Sequence, residues 1–262
     1  MKRRFALVLL VSLAACGHLS KPIDKTRGWS AEKLYASAKH QMDIGNYANA
    51  VSRFETLEAR YPYGPYAEQA QLDIAYSYYK DDEPISAVAA ADRFIKTYPD
   101  SSHVDYAYYL KGIVNFNQGH GFLATLGAED FAQRDPKTAE ASFEAFKALV
   151  TRFPNSKYTP DARARMIYLA NALAMHDIYV AQYYIVRGAY LASVNRAQYV
   201  LQHFPHAPAR EQALAIMVVA YGKMGLPTLQ ADTRRVLQLN FPHSRYLAGA
   251  PIVQTRPWWK FW

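Results

Sequence analysis

From about residue 30 onward, aliphatic and aromatic residues recur every three or four positions, the spacing that places side chains on one face of a helix. The strict two-residue alternation of a half-buried strand is almost absent from this stretch. The stretch is rich in Ala, Tyr, Leu and Gln. The pattern predicts an all-α domain over residues 30–248.

Aromatic–proline pairs interrupt the helical pattern at intervals of 37, 55, 51 and 37 residues. Proline ends a helix because it lacks the backbone N–H and its ring clashes with the preceding turn. After one pair, Thr159-Pro160-Asp161 provides a capping hydroxyl, a proline at the first helical position and an acid in the first turn. The pairs therefore predict helix boundaries, and they are Tyr61-Pro62, Tyr98-Pro99, Phe153-Pro154, Phe204-Pro205 and Phe241-Pro242.

Helix-turn-helix units of about 34 residues are typical of tetratricopeptide (TPR) repeats. Small residues such as Ala38 and Ala50 allow the two helices of the first unit to approach closely, and Phe54 fills the space between them. We therefore predict a superhelical stack of about five TPR repeats. The residues that carry the pattern in the first two units are Ala38, Gly45-Asn46-Tyr47, Ala50, Phe54, Leu57 and Pro62, and then Ala75, Tyr78, Ala87, Ala91, Phe94 and Pro99.

The later repeats depart from the basic unit. The third carries Gly112 and Phe146 on its two helices, with an insertion near residues 118–135 between them. The fourth has a pattern that predicts a long first helix from Asp161 to near Arg187. The fifth is the loosest match, which is typical of a terminal repeat that caps a stack.

The N-terminus has the composition of a secretory signal. Positions 2–4 are basic, and eleven residues without a charge follow them. That run is too short to cross a bilayer, because a spanning helix needs about 20 apolar residues. We predict that residues 1–15 are a signal peptide.

The stretch Leu13-Ala14-Ala15-Cys16 is similar to the bacterial lipobox, in which the cysteine becomes the first mature residue and carries the lipid. This resemblance predicts an N-acyl and S-diacylglycerol group on Cys16, with residues 16–29 as a tether to the domain. By the same resemblance, Gly17 favours the outer membrane over the inner membrane. The alternative, a small buried thiol, fits less well because Cys16 lies where a cleavage site belongs.

Charge and cysteine content exclude several classes of protein. The 262-residue chain has 30 Lys and Arg against 22 Asp and Glu, and its single cysteine excludes an internal disulfide or a cysteine-based zinc site. Removal of the signal peptide leaves a net charge of +5, spread along the chain. Nucleic-acid binding requires a concentrated basic stripe, so we predict no nucleic-acid partner.

Enzymatic chemistry has no recognisable motif in this chain. The nucleophile elbow GxSxG, the zinc motif HExxH and the phosphate loop GxxxxGK[ST] are all absent. His203 and His206 have a spacing that can bind metal on a helix, but Pro205 lies between them at a repeat boundary. We predict no catalytic residue, no metal site and no cofactor beyond the lipid.

Tyrosine is abundant, with 21 residues. A tyrosine offers a large apolar face and a hydroxyl at low entropy cost, which suits peptide recognition. The alternative is packing between helices, which we expect for at least half of these rings. The tyrosines that cluster in the first two repeats are Tyr61, Tyr63, Tyr66, Tyr76, Tyr78 and Tyr79.

The C-terminal segment, residues 249–262, contains three of the four tryptophans within Pro257-Trp258-Trp259-Lys260-Phe261-Trp262. An exposed aromatic cluster usually contacts a partner or a membrane interface. It can equally fold back and cap the last repeat, so capping and partner docking both stay open, ahead of membrane contact.

Together, the lipobox and the repeats resemble the BamD (ComL) family of outer-membrane β-barrel assembly lipoproteins. The resemblance covers about residues 10–240 and is weakest in the fifth repeat and the C-terminal segment. The stretches that carry it are Arg60–Tyr66, Gln71-Leu72-Asp73, Tyr78-Tyr79-Lys80, Asp92-Arg93-Phe94-Ile95, Asp105-Tyr106, Gly112, Arg134-Asp135-Pro136, Phe153–Tyr158 and Ala181–Leu201.

The resemblance implies a non-enzymatic subunit of the Bam complex, lipid-anchored on the periplasmic face of the outer membrane. It implies binding to the periplasmic domains of BamA, to other Bam lipoproteins where present, and to unfolded outer-membrane β-barrel proteins. The client segment would be aromatic and end in a carboxylate, so the implied client-binding residues are Arg60, Tyr63, Tyr66, Tyr76 and Tyr79. The implied BamA contacts are Asn195 and Arg196, although a solvated arginine at a helix start is an alternative for Arg196.

Two other classes of function remain at this stage. One is another envelope TPR lipoprotein that acts as a scaffold linked to peptidoglycan or to cell division. The other is a superhelical cell-wall hydrolase, which would require an essential glutamate in a cleft.

Overall fold

A computed structural model describes residues 26–118 and 136–253, and within these ranges the chain forms ten α-helices and no strand. This confirms the all-α prediction. The helices are α1 (Ala31–Asp43), α2 (Tyr47–Arg60), α3 (Pro65–Lys80), α4 (Pro84–Thr97), α5 (Val104–Gln118), α6 (Lys137–Arg152), α7 (Thr159–Val186), α8 (Tyr190–His203), α9 (Ala209–Lys223) and α10 (Pro227–Asn240).

Several sequence predictions fall outside the described residues. These are the signal peptide, Cys16 with most of its tether, the insertion near residues 118–135 beyond position 118, and the tryptophans of the C-terminal segment. None of the described helices is both long enough and apolar enough to cross a membrane.

The helices form five antiparallel pairs, α1–α2, α3–α4, α5–α6, α7–α8 and α9–α10, and every helix packs on its neighbours in sequence. Neighbouring first helices also pack on one another, α1 on α3, α3 on α5 and α7 on α9. Neighbouring second helices of the described ranges do not pack on one another to a similar extent. In a curved stack the elements that approach most closely lie on the inner side, so the first helices form the inner face.

Proline positions begin and end the helices as predicted. Prolines occupy the first turn of α3, α4, α7 and α10, where no intrahelical N–H is lost. The aromatic residue before each boundary proline closes the preceding helix. In all five cases its N–H donates to the carbonyl four residues back, at 2.8–3.0 Å.

The small residues of the repeat pattern allow the close helix contacts that were predicted. Ala38, Ala50 and Phe54 are fully buried in the first pair. In the third pair, Gly112 lies directly against the ring of Phe146, where a Cβ atom would approach Cε1 to 2.4 Å. These contacts leave no space for a larger side chain, which explains the residue choice.

Helix α7 joins the two halves of the stack. It spans 28 residues, or about 42 Å at 1.5 Å per residue, which confirms the long first helix of the fourth repeat. Leu169 in its first half packs with Phe146 and Leu149 of α6. In its second half, Ala174 and Ile178 pack in a separate cluster with α8 and α9.

The fifth pair is the most weakly packed, and the sequence explains why. Leu237 is the single buried residue of α10. Phe54 and Phe146, which are fully buried, lie at the same distance before the boundary prolines of their repeats. In the fifth repeat, Arg234 lies at that distance before Pro242. An arginine there cannot fill the space between two helices, so the terminal repeat leaves its second helix largely exposed.

Candidate functional site

Aromatic side chains gather on the inner face, beginning between α1 and α3. The hydroxyl of Tyr35 on α1 donates to Oδ2 of Asp73 on α3 at 2.8 Å. The ring of Tyr66 lies 5.4 Å from the ring of Tyr35, centroid to centroid. Lys39 Nζ is 3.9 Å from the same carboxylate. These four side chains tie the first helices of the first two repeats together.

Electrostatics fixes the donor and acceptor roles in this group. Burial raises the pKa of Asp73, and the Lys39 charge and the Tyr35 hydrogen bond offset part of that rise. Burial and the neighbouring Asp73 raise the pKa of Tyr35. Tyr35 therefore stays a protonated donor at neutral pH, and its ring is held in one orientation.

A second group of rings lies between α3 and α5. Tyr76 and Tyr79 meet edge to face with their centroids 6.4 Å apart. Asn117 Nδ2 donates to the hydroxyl of Tyr79 at 2.7 Å. Burial raises the pKa of Tyr106 on α5, and the nearby hydroxyl of Tyr76 adds to this rise.

A third group joins α5 to the start of α7. Tyr109 stacks on Tyr158 at 4.7 Å between centroids, and its hydroxyl donates to Asp161 Oδ2 at 2.8 Å. Arg165 Nε binds the same oxygen at 2.6 Å. Burial favours the neutral form of Asp161, but the hydrogen bonds from Arg165 and Tyr109 outweigh it and hold its pKa below the ordinary value.

These groups follow one another along the first helices of repeats one to four, and we call them the aromatic band. Arg165 extends it by lying 4.7 Å over the ring of Phe116, which is 5.7 Å from the ring of Tyr168. The rings are half-buried or exposed, and several hydroxyls are engaged by carboxylates or an amide, so the ring faces are the available surface. The band consists of Tyr35, Tyr66, Tyr76, Tyr79, Tyr106, Tyr109, Phe116, Tyr158 and Tyr168.

The residues implied for client binding fall in different places. Tyr66, Tyr76 and Tyr79 belong to the aromatic band. Tyr63 is 90% exposed in the turn before α3. Arg60 is half-buried at the end of α2 and donates to the carbonyl of Thr26 at 2.6 Å and to its hydroxyl at 3.0 Å. Arg60 therefore holds the segment that precedes α1.

No site role was predicted from the sequence for Tyr35 or Tyr109, and their aspartates were named only as a helix-start residue and as part of the family resemblance. The repeat register nevertheless contained a signal. Tyr35 and Tyr109 each stand three residues before the small residue that contacts the second helix, Ala38 or Gly112. The same register therefore places both hydroxyls toward the next first helix. Their acceptors, Asp73 and Asp161, lie 38 and 52 residues away.

The second implied site lies between α7 and α8. Arg196 lies in the middle of α8 rather than at a helix start, and its NH1 is 3.1 Å from Oδ1 of Asp177 on α7. Asp177 is 6% exposed, whereas the Arg196 side chain is half exposed. Burial raises the pKa of Asp177, and the Arg196 charge offsets part of this rise. The neighbouring Asn195 is exposed.

This ion pair lines a groove of about 640 Å³ between α6, α7 and α8. The groove combines apolar rings with charges of both signs. His203 stacks on Tyr199 there at 3.9 Å between centroids. The described parts of the chain contain no cluster of three or more His, Cys, Asp or Glu side chains that could hold a metal ion.

The chain matches the family model described as outer membrane lipoprotein (YfiO) over residues 28–237. Similar proteins include the outer membrane protein assembly factor BamD of Neisseria meningitidis serogroup A, 46% identical over the whole of both chains. BamD of Xylella fastidiosa is 37% identical, covering 93% of this chain and 83% of its own. BamD of Vibrio cholerae is 36% identical, covering 79% of this chain and 86% of its own.

Proposed function

This chain belongs to the BamD family of outer membrane protein assembly factors, and we propose that it acts as a lipid-anchored scaffold in the assembly of outer-membrane β-barrel proteins. The full-length similarity to proteins of that name favours this role over a scaffold linked to peptidoglycan or cell division. The mechanism is binding without bond chemistry. One observation carries the proposal beyond the family: the aromatic band on the inner face of the repeats.

The aromatic band is the proposed site for unfolded clients. Strands of a membrane barrel carry outward-facing apolar residues and aromatic girdles, so an unfolded client exposes many aromatic side chains. Offset or edge-to-face contact with a preoriented tyrosine contributes about 0.5–1.5 kcal/mol beyond area burial. Tyr66, Tyr76 and Tyr79 supply such rings, and Tyr63 adds an exposed ring at the edge. Arg60 would contribute charge for a client carboxylate while it also holds Thr26.

The groove beside Arg196 is the proposed contact for BamA, with Asn195 on its rim. A half-exposed guanidinium that is oriented by a buried carboxylate is already positioned to accept a second partner. Because Asp177 fixes its direction, little side-chain entropy is lost when a carboxylate or carbonyl from BamA binds there.

A lipid on Cys16 would confine the chain to the periplasmic face of the outer membrane. Confinement raises the local concentration of the chain near the other subunits without any new contact. In this arrangement the tether of residues 16–29 sets the distance between the lipid and the first repeat. Other Bam lipoproteins of the same membrane face are further expected partners.

A pull-down in mild detergent tests the BamA assignment. We expect BamA to co-purify with the full-length chain and to be lost with Arg196→Glu, which reverses the charge in the groove. Arg235→Glu is the matched control, because Arg235 is an exposed arginine paired with Asp232 on α10. Unchanged recovery of BamA with Arg196→Glu, or equal loss with both variants, would contradict the assignment.

Depletion of the protein in cells tests the wider role. Folded outer-membrane barrels should decline while soluble periplasmic proteins persist. Barrel levels that stay constant would reject the assembly role altogether.

Peptide binding tests the client site. An aromatic peptide that ends in a carboxylate should bind the Tyr66→Ala and Tyr79→Ala variants about tenfold more weakly, which corresponds to 1.4 kcal/mol. Tyr47→Ala on α2 serves as control because Tyr47 lies on a second helix. If the control weakens binding as much as the band variants do, the band is not the site.

A further inference from the structure

The chain turns back onto the stack after α10. The carbonyl oxygen of Ile252 accepts hydrogen bonds from Gln182 Nε2 on α7 at 2.6 Å and from Gln212 Nε2 on α9 at 3.4 Å. The Ile252 side chain packs beside Leu201 and Tyr246 in an apolar cluster. The described part of the chain therefore ends, at residue 253, beside α7.

An exposed apolar patch lies on α7 within one turn of this anchor. Tyr179, Tyr183 and Val186 have the spacing of one helix side, and Val186 is four residues from Gln182, one turn along the same side. Tyr183 is 55% exposed and Val186 is 68% exposed. We call these two exposed residues the Tyr183 patch, and the partly buried Tyr179 lies beside it.

The patch has features that suit tryptophan. The ring of Tyr183 is exposed, and the Arg187 guanidinium lies 5.3 Å over it. An indole beside these groups gains aromatic contact and cation–π attraction. The patch faces away from the clusters in which the other side of α7 packs with α8 and α9.

Residues 254–262 follow the anchored Ile252 in the chain and have side chains that match the patch. They contain Trp258, Trp259 and Trp262, three of the four tryptophans in the chain. Nine residues span at most about 30 Å when extended, whereas the patch begins within about 5.4 Å, one helical turn, of Gln182. The segment can thus reach the patch with several residues to spare.

We propose that residues 254–262 fold back along α7 and pack Trp258 and Trp259 on the Tyr183 patch. Ile252 already holds the start of this segment, so docking is intramolecular and proceeds at an effective concentration in the millimolar range. At that effective concentration, a contact that is too weak to hold two separate molecules together is sufficient. The inference concerns the chain's own segment and does not depend on the proposed partners.

Tryptophan fluorescence tests this in the full-length chain. In the Trp29→Phe background, the emission reports residues 258, 259 and 262 alone. We expect acrylamide to quench this emission less than that of a free peptide of residues 254–262. The double variant Tyr183→Ser with Val186→Ser should raise quenching to the free-peptide value. Leu239→Ser, an equally exposed apolar position on α10, should leave the protection intact.

Four results would overturn the proposal. The emission of the full-length chain could be quenched as strongly as that of the free peptide. It could also stay protected in the double variant. Protection could vanish on dilution, which would identify a second copy of the chain as the occupant. Protection that requires lipid vesicles would assign the tryptophans to the membrane. Circular dichroism on each variant separates loss of docking from loss of fold, and Tyr183→Phe, which keeps the ring, should remain protected.

Discussion

Two tyrosine–aspartate hydrogen bonds join neighbouring first helices in the aromatic band, and they differ in their electrostatics. Asp73 is partly buried, and this burial raises its pKa by more than Lys39 and the Tyr35 hydrogen bond lower it. Asp161 is more exposed and accepts from both Tyr109 and Arg165, so its pKa is lowered. The same pair of residue types therefore responds to pH in opposite directions, because burial dominates in one case and hydrogen bonding in the other.

Tyr109→Phe should destabilise the protein in a pH-dependent manner. A lowered native pKa means that the stabilisation from Asp161 is present above its unfolded pKa of about 3.9 and is lost as the pH falls through the native value. We expect a loss of about 1 kcal/mol at pH 7, because Asp161 is partly exposed and solvent screening weakens its bond. Below about pH 4, this loss of unfolding free energy should shrink. Urea unfolding of Tyr109→Phe and of the unchanged protein at pH 7 and below about pH 4 measures it.

Tyr61→Phe is the control, because that hydroxyl donates to the uncharged carbonyl of Trp29 at 2.8 Å. Its effect should be the same at both pH values. A loss in Tyr109→Phe that does not change with pH would contradict the role given to the Asp161 carboxylate.

Gly112→Ala should destabilise the third repeat. The new Cβ would lie 2.4 Å from Phe146 Cε1 inside a buried contact, and overpacking of this kind costs roughly 1–3 kcal/mol. Gly222→Ala is the matched control, since its Cβ would meet only the end of the flexible Gln230 side chain. That variant should be neutral or more stable, because alanine favours a helix by about 1 kcal/mol over glycine. Thermal unfolding measures both variants. A midpoint for Gly112→Ala that is as high as that of Gly222→Ala, or higher, would contradict the packing account.

At the scale of whole helices, α7 packs in both halves of the stack, and we expect it to couple their unfolding. Its first half packs in the cluster of Phe146 and Leu149, and its second half packs with α8 and α9. Repeat proteins unfold according to nearest-neighbour contacts. A helix that belongs to two clusters therefore transmits stability between them.

Ala172→Pro should uncouple these halves. Proline in a helix interior removes one hydrogen bond, clashes with the preceding turn and costs about 3 kcal/mol or more. We expect calorimetry to show two separated transitions in place of one. Ala172→Gly, which keeps the N–H and costs about 1 kcal/mol, should lower the midpoint and keep a single transition. Retention of one transition in the proline variant would show that the halves couple through other contacts.

On the scale of the whole molecule, the proposed client band and BamA groove lie on different parts of one stack. The band follows the first helices of repeats one to four, and the groove lies between α6, α7 and α8. Both would be held near the membrane if residue 16 carries a lipid. This arrangement would let one chain bind the proposed client and the proposed second subunit at once.

Cys16→Ser should release the protein from the membrane fraction and block signal-peptide removal. Fractionation of cells and labelling with a fatty acid would measure both effects. Ser20→Ala, a neighbouring change in the tether, should leave them unaltered. Unchanged membrane association in Cys16→Ser would refute the lipid anchor.

Helix boundaries and pair contacts were predictable because their causes are local. The aromatic–proline pairs end helices through backbone chemistry that acts within a few residues. Ala38 packs in the first pair, where a short turn brings the second helix back in a known direction. The length of α7 followed in the same way from an uninterrupted pattern between Asp161 and Arg187.

The candidate sites were less predictable, because their contacts cross from one repeat to another. The Tyr35–Asp73 and Tyr109–Asp161 contacts join helices of different repeats, whose relative tilt depends on the packing of every intervening side chain. Arg60 was singled out for its charge, but the fold turns it toward Thr26. Local backbone signals thus specify the helices and their order. Which side chains meet on the inner face depends on the superhelical geometry, since small rotations between repeats accumulate along the stack.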